Sequence, residues 1–206
     1  MNVGEAILKR RSIREFLPKP IPQEDLIKIL EAARWAPTAV NRQKTRFIVV
    51  TEENLLKEIA NNSKIVFFRQ RHAAQCSAMV VVCLDSSSWI EEVGAAIQNI
   101  LLMAAELDIG TCWIGAFNRN VVRKLLNIPH SYKIFALILL GYYGDNPDPP
   151  PRLDLGKIAY LNKWRNPLTK SKGTILPKSG ALSFITKRLI DTDSDMKKSP
   201  LYESEE

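Results

Sequence analysis

The chain has 206 residues, 46% of them hydrophobic and 25% charged, with a formal net charge of +7. That balance is typical of a globular enzyme or binding domain with one substantial core or two small ones, and it excludes a disordered or fibrous chain. The longest apolar stretch, Ile134 to Tyr143, is too short to span a bilayer.

The chain opens with a short amphipathic helix, Val3 to Leu8, followed directly by Arg10-Arg11-Ser12-Ile13-Arg14. In extended chain alternate residues point the same way, so Arg10, Ser12 and Arg14 converge on one side. Read as helix, Arg10 and Arg14 lie one turn apart and still share a face. Guanidinium forks bind phosphate oxygens two at a time, so the cluster suits a small dianion. A solvated basic helix end explains it equally well.

Pro20-Ile21-Pro22 precedes a helix over Gln23 to Trp35, whose Leu26, Ile29, Leu30 and Ala33 make one apolar face. Pro37 stops it. The loop from Ala36 to Gln43 follows, and Asn41 and Gln43 each offer a donor and an acceptor that match the edge of a heterocycle with imide and carbonyl groups. An ordinary polar turn reads the same way. Arg46 to Thr51 is expected as a strand, Glu52 to Ala60 and Asn62 to Ala74 as helices, and Ala78 to Leu84 as a second strand. Gly94 to Leu107 is apolar on nearly every side, which marks an interior helix, with Gly110 placed to end it in a left-handed conformation. Thr111 to Gly115 is a short apolar return whose glycines permit close backbone approach to a ligand. Trp113 could stack on a planar ligand or sit in the core. Asn118 can cap a helix ending near Leu126, and Ile134 to Leu140 is a third buried strand. Asp145 to Arg152 leaves as an extended, proline-stiffened segment. Arg152 there either reaches an anion or faces solvent. Residues 165 to 206 are polar, with only Ala181 to Ile190 orderable, which suggests an arm lying on something else or partial disorder. The pattern is α+β, a few buried strands between helices.

Cys76, Cys83 and Cys112 are odd in number, widely spaced and without CxxC, which argues against a disulfide framework or a zinc site. His72 and His130 are the only histidines and no HExxH occurs, so no metal site is expected. No GxSxG elbow supports a nucleophilic serine. The charge raises nucleic acid as a partner. The basic residues are spread along the chain without interleaved aromatics, so no nucleic-acid role is expected. Reduced thiols and an N-terminus that reaches Lys9-Arg10-Arg11 without an apolar stretch point to the cytoplasm, with no membrane partner.

Taken in order, Arg10-Arg-Ser-Ile-Arg14-Glu-Phe16, Ala36-Pro-Thr-Ala-Val-Asn-Arg-Gln43, Gly94-Ala-Ala-Ile-Gln-Asn through Ala105, Gly110-Thr-Cys-Trp-Ile-Gly115 and Leu140-Gly141-Tyr142 resemble the FMN-dependent nitroreductase family. The resemblance runs from Ala6 to about Arg152. It implies a sandwich with a central mixed β-sheet, flanking helices and a buried central helix. The FMN-binding domain would be residues 1–160. Residues 161–206 would be a C-terminal arm exchanged in a homodimer, with FMN at the interface. Arg10 and Ser12 would grip the flavin phosphate, with Arg11 near the ribityl chain and Arg14 by the pyrimidine end of the ring. Pro37, Thr38, Asn41 and Gln43 would serve the cofactor too, with Pro37, Thr38 and Asn41 coming from the partner subunit. Ile114 and Gly115 would present backbone near N5, and Arg152 would complete the phosphate site. No side-chain acid or base is implied: the flavin carries the chemistry, assisted by Arg14 and Gly115. NADH or NADPH would be the donor and a nitro compound, quinone or similar molecule the acceptor. A flavin sensor or store without general reductase activity is the alternative. Against the family pattern, Val40 stands where glycine is common, Lys44 replaces a frequent proline, and Thr45 an aromatic. The stretch between Leu84 and Gly94 is too short for a helical lid. These departures concern acceptor choice more than flavin binding.

Overall fold

The computed structural model describes residues 1–62, 64–65, 68–69 and 74–169. The chain divides into two compact units, Met1–Asp148 and Pro149–Glu206.

In the first unit, α1 (Val3–Lys9) is closed by a capping box in which the Asn2 side chain accepts from the Glu5 amide and Glu5 returns the bond. Helix α2 (Gln23–Arg34) buries Leu26, Ile29 and Ala33, the face that the periodicity marks. Strand β1 (Thr45–Val50) and helix α3 (Glu53–Asn61) follow. The helix expected over 62–74 is not formed where that stretch is described. Lys64–Ile65 (β2) and Phe68–Arg69 (β3) instead pair antiparallel. Ile65 and Phe68 belong to a β-branched and aromatic run that fits a pleated ribbon better than a helix. The rest of that expected helix falls outside the described residues.

Strands β4 (Ala78–Asp85), β5 (Gly110–Ile114) and β6 (Tyr132–Gly141) complete a sheet of order β1-β4-β6-β5. All its pairings are antiparallel. The mixed character expected of it rests on a single parallel bridge, Ser12 to Thr111. Both faces of the sheet are covered. Val80, Val82, Ile138 and Leu140 pack with α2 and helix α4 (Ile90–Glu106). Met79, Val81, Leu137 and Leu139 pack with α3 and α5 (Arg119–Leu125), which the Asn118 side chain caps. In β6 the pairing skips Phe135, so Ile134 faces the second layer while Ala136 faces the first. That bulge resets the two-residue alternation.

Helix α4 is the interior helix, beginning one turn earlier than its apolar run suggests. One stripe of it, Glu91, Ala95, Gln98, Leu102 and Glu106, stays exposed or half-buried at helical spacing. Gly110 does not end this helix. Asp108 takes the left-handed conformation (φ 57°), and the Ile109 amide donates to Ala104 O at 2.8 Å. This is a Schellman closure with Asp, a residue that tolerates positive φ, in the usual glycine place.

The second unit is described to residue 169. Its Asp154 side chain caps a 3-10 turn, Leu155–Lys157, and the Tyr160 and Trp164 rings lie 4.7 Å apart. Leu153, Leu155, Ile158, Leu161, Trp164 and Leu168 are all substantially exposed, so this stretch has little core of its own. Ala181 to Ile190 lie outside the described residues.

Candidate functional site

The Arg10–Arg14 segment is extended and stitched alongside β5. The Ile13 amide donates to Thr111 O at 2.8 Å, and the Leu17 amide to Tyr142 O at 2.7 Å. Ile13 is buried, while Ser12 and Arg14 on either side of it are exposed. Alternation along extended chain therefore decides the matter between the two sequence readings: one face anchors and the other is presented. Two glycines let the segment come so close. A Cβ on Gly110 would meet Ile13 Cγ1 at 2.8 Å and Tyr143 Cδ1 at 2.7 Å, and one on Gly141 would meet Phe16 Cδ1 at 2.7 Å.

The three arginines of the segment differ. Arg11 is committed to the protein itself, donating to Leu8 O (2.5 Å), Arg10 O (2.7 Å) and Pro147 O (3.0 Å). Arg14 makes one long bond, 3.3 Å, to Ser12 O. It lies near enough to Cys112 that its charge draws that thiol's pKa down, against a larger upward push from burial. The guanidinium of Arg10 and the hydroxyl of Ser12 have no partner among the described residues. A cavity of about 320 Å³ opens over Ser12, Ile13 and Arg14, walled by Glu15, Asp145 and Pro147. Arg14 and Ser12 thus present a cation and a hydroxyl to this cavity, while Arg10 lines a separate narrow cleft with Lys9, Thr111 and Tyr143. The two carboxylates on the wall oppose an anion unless Ser12 and Arg14 meet it directly.

At the end of β5, Ile114 is buried, so only its backbone is on offer, and a side chain at Gly115 would meet nothing within 4 Å. Arg119 braces this corner, a role the sequence reading missed. Its Nη2 donates to Gly115 O (3.1 Å) and its Nε to Ile134 O (2.9 Å), and its guanidinium lies 4.7 Å from the Phe117 ring centre. It satisfies the Ile134 carbonyl, which lies beyond the end of the β5–β6 ladder. Trp113 is 42% exposed and tilts against Phe135 at 6.3 Å, so it is not a core residue.

Thr38, Asn41 and Gln43 stand elsewhere. Their loop folds into a 3-10 turn, Ala39–Asn41, in which Val40, Asn41 and Gln43 all have positive φ (52°, 54° and 50°). Gln43 Nε2 donates to Asn41 Oδ1 at 3.0 Å, and the Gln43 amide donates to Thr38 Oγ1 at 3.2 Å. The two amide side chains are therefore tied together. This loop rests on the first turn of α4, where the Ala39 amide donates to Glu92 Oε1. A groove of about 430 Å³ runs past Thr38, Gln43, Ala36, Phe47 and Ile27. It contains no residue of the Arg10–Arg14 group, and the cavities beside Arg10–Arg14 contain no loop residue. Arg10 shares its narrow cleft with Ala105, near the far end of α4. At 1.5 Å of rise per residue, Glu92 and Ala105 are about 20 Å apart. The two groups of candidate residues thus lie apart on the chain, at opposite ends of α4. Arg152 belongs to the second unit, where it is exposed and its guanidinium reaches only Pro150 O and Pro151 O at 3.5 Å.

The three cysteines are buried thiols. Desolvation pushes Cys76 up to about 12 and Cys83 up to about 11, so neither is a nucleophile near neutral pH. No cluster of His, Cys, Asp and Glu able to hold a metal occurs among the described residues, and no described helix is long and apolar enough to cross a membrane.

This fold is that of a known class. The model of the nitroreductase family matches residues 7–79 and 85–142, and the chain belongs to that family. A candidate NADH dehydrogenase/NAD(P)H nitroreductase of Archaeoglobus fulgidus is 37% identical over 153 residues, covering 69% of this chain and 86% of the relative. A protein of the same description from Methanothermobacter thermautotrophicus is 34% identical over 174 residues, 80% of this chain and 88% of its own. Among solved structures, an FMN-dependent nitroreductase of Clostridium difficile superposes with a TM-score of 0.70 at 26% identity, over 77% of this chain and 98% of that one.

Proposed function

We propose that this protein is an FMN-dependent oxidoreductase that takes hydride from NAD(P)H and delivers it to an oxidised small molecule, and that it works as a homodimer. The names of its relatives supply the cofactor and donor class. The residues supply a fit: the Arg10 guanidinium and the Ser12 hydroxyl have no partner among the described residues and Arg14 has only one long bond, so donors remain at the cavity (Ser12, Arg14) and at the narrow cleft (Arg10) for a phosphate and an electron-rich ring edge. When bound, FMN supplies hydride acceptance and release at N5, with a nitro compound or quinone as the terminal acceptor class.

The remaining work is the chain's own. Arg10 and Ser12 bind the phosphate, while Arg11 holds the segment in shape through its three carbonyl bonds. Arg14 places a fixed positive charge where the reduced ring gathers negative charge. The Ile114–Gly115 backbone, braced by Arg119, faces the reacting edge without a side chain in the way. The separation of the two groups of residues is the observation that carries the dimer. Pro37, Thr38, Asn41 and Gln43 reach the flavin of a second copy, and the uncovered stripe of α4 and the exposed apolar residues of 153–168 gain cover in that assembly. Most of the arm expected over 161–206, residues 170–206, lies outside the described residues.

The test is direct. The purified protein should show a flavin absorption spectrum that bleaches on adding NADH or NADPH without oxygen and returns on adding a nitroaromatic or quinone. A protein that carries no flavin and cannot be reconstituted with FMN would contradict the proposal.

A further inference from the structure

Glu92 is the one carboxylate buried among the described residues, at 7% exposure. It sits in the first turn of α4, whose N-cap Trp89 supplies no side-chain bond, so the helix dipole favours a negative charge there. Both its oxygens are used. Oε1 accepts from the Ala39 amide at 2.8 Å, 53 residues away in sequence, and Oε2 accepts from Ser88 Oγ at 2.8 Å.

The Ala39 amide is where the loop turns left-handed. Val40 is the unfavourable member, because a β-branched residue at positive φ is a steric outlier. Its side chain is 89% exposed, so packing does not hold it there. Such strain persists only where the surroundings over-determine it. The other bonds at the loop tip are local: the Asn41 amide to Thr38 O and the Arg42 amide to Ala39 O, both at 3.1 Å. The tie from the tip to another element is Glu92.

We infer that Glu92 is a positioning residue: its carboxylate fixes the strained 38–43 loop to α4 and so sets Thr38, Asn41 and Gln43 for the cofactor of the partner copy. This rests on the flavin role proposed above for that loop. Without the tie, the loop relaxes and must be re-ordered each time the cofactor binds.

The test compares FMN affinity of the flavin-stripped full chain with hydrogen exchange at the Ala39 amide. Glu92→Leu keeps bulk but removes both acceptors, and should weaken FMN binding about tenfold and speed Ala39 exchange by about the same factor. Glu92→Gln can still accept from Ala39 and donate to Ser88 Oγ, so it should stay within about threefold of the parent on both readings. Glu58→Gln, on the exposed face of α3 and outside the α4 stripe, should change neither. Parental FMN affinity with slow Ala39 exchange in the Leu variant overturns the inference. A Gln variant as impaired as the Leu variant also overturns it, since charge rather than acceptor geometry would then matter. Should the Leu variant not fold, Ser88→Ala should speed Ala39 exchange by about threefold through a loosened carboxylate, and unchanged exchange there counts against the tie. Asn41→Ala separates the two claims. If it binds FMN as the parent does, the flavin reading of the loop fails, and Ala39 exchange alone judges the role of Glu92.

Discussion

Replacing Arg10 with alanine should weaken FMN binding about tenfold to a hundredfold while leaving the fold intact. A hydrogen bond to a charged group contributes about 1.5–3 kcal/mol, and every 1.4 kcal/mol is about tenfold in affinity. No bond within the described fold depends on the Arg10 guanidinium, so its removal should cost little stability. Ser12→Ala removes a neutral donor and should cost about 1 kcal/mol, or roughly fivefold. Titration of the apoprotein with FMN, followed by quenching of flavin fluorescence, measures both. An Arg10→Ala protein that keeps parental affinity would remove the phosphate from this segment. Arg11→Ala should behave differently, losing stability before affinity, because its donors hold three backbone carbonyls.

Gly110→Ala should destabilise the protein and unseat the same segment. The added methyl would lie 2.8 Å from Ile13 Cγ1, 3.0 Å from Ile13 Cβ and 2.7 Å from Tyr143 Cδ1. Ile13 is a stiff β-branched side chain buried at 4%, and its amide is bonded to Thr111 O, so it cannot swing aside. Overpacking of this kind costs about 1–3 kcal/mol, which for a chain of this size lowers the melting temperature by roughly 2–10 °C. FMN affinity should fall with it, since Ser12 and Arg14 ride on the displaced strand. Gly115→Ala is the control. Its methyl would meet nothing within 4 Å, so the melting temperature should not move. Equal melting temperatures for the two variants would show that Gly110 is not a close-approach site.

The sequence patterns marked the elements that local periodicity controls. Helix α2, strands β4 and β6 and the Asn118 cap fall where expected, because one apolar face, one continuous apolar run or one short polar side chain decides each of them. What periodicity could not show depends on contacts between distant parts. Gly110 read as a helix stop, yet its smallness serves Ile13 and Tyr143, nearly a hundred and some thirty residues away. Glu92 read as one more polar residue at the start of an apolar helix, and only the fold brings Ala39 to it. Arg119 gained its role from carbonyls that lie past the end of the β5–β6 pairing, which no alternation pattern signals. Val40 is the instructive middle case. The resemblance marked it as a valine where glycine is common, and its φ of 52° supplies the physical reason glycine suits that place. Lys44, the other departure, is held at the start of β1 by Asp85 at 3.5 Å and by Ser87. The resemblance already divided the candidate residues between two subunits, and the fold adds that the two groups lie at opposite ends of α4.

On the proposed reading each flavin is held by Arg10 and Ser12 of one copy and Asn41 of another, and subunit mixing tests this arrangement. Arg10→Ala and Asn41→Ala proteins, each deficient in flavin, are co-expressed with different tags and the mixed dimer is isolated. One of its two sites then combines both lesions, and the other pairs an intact Arg10 with an intact Asn41. The mixed dimer should bind one FMN per dimer at parental affinity and regain about half the parental activity. A mixed dimer that binds no better than either parent variant would place all these residues in a single chain's site and contradict the account.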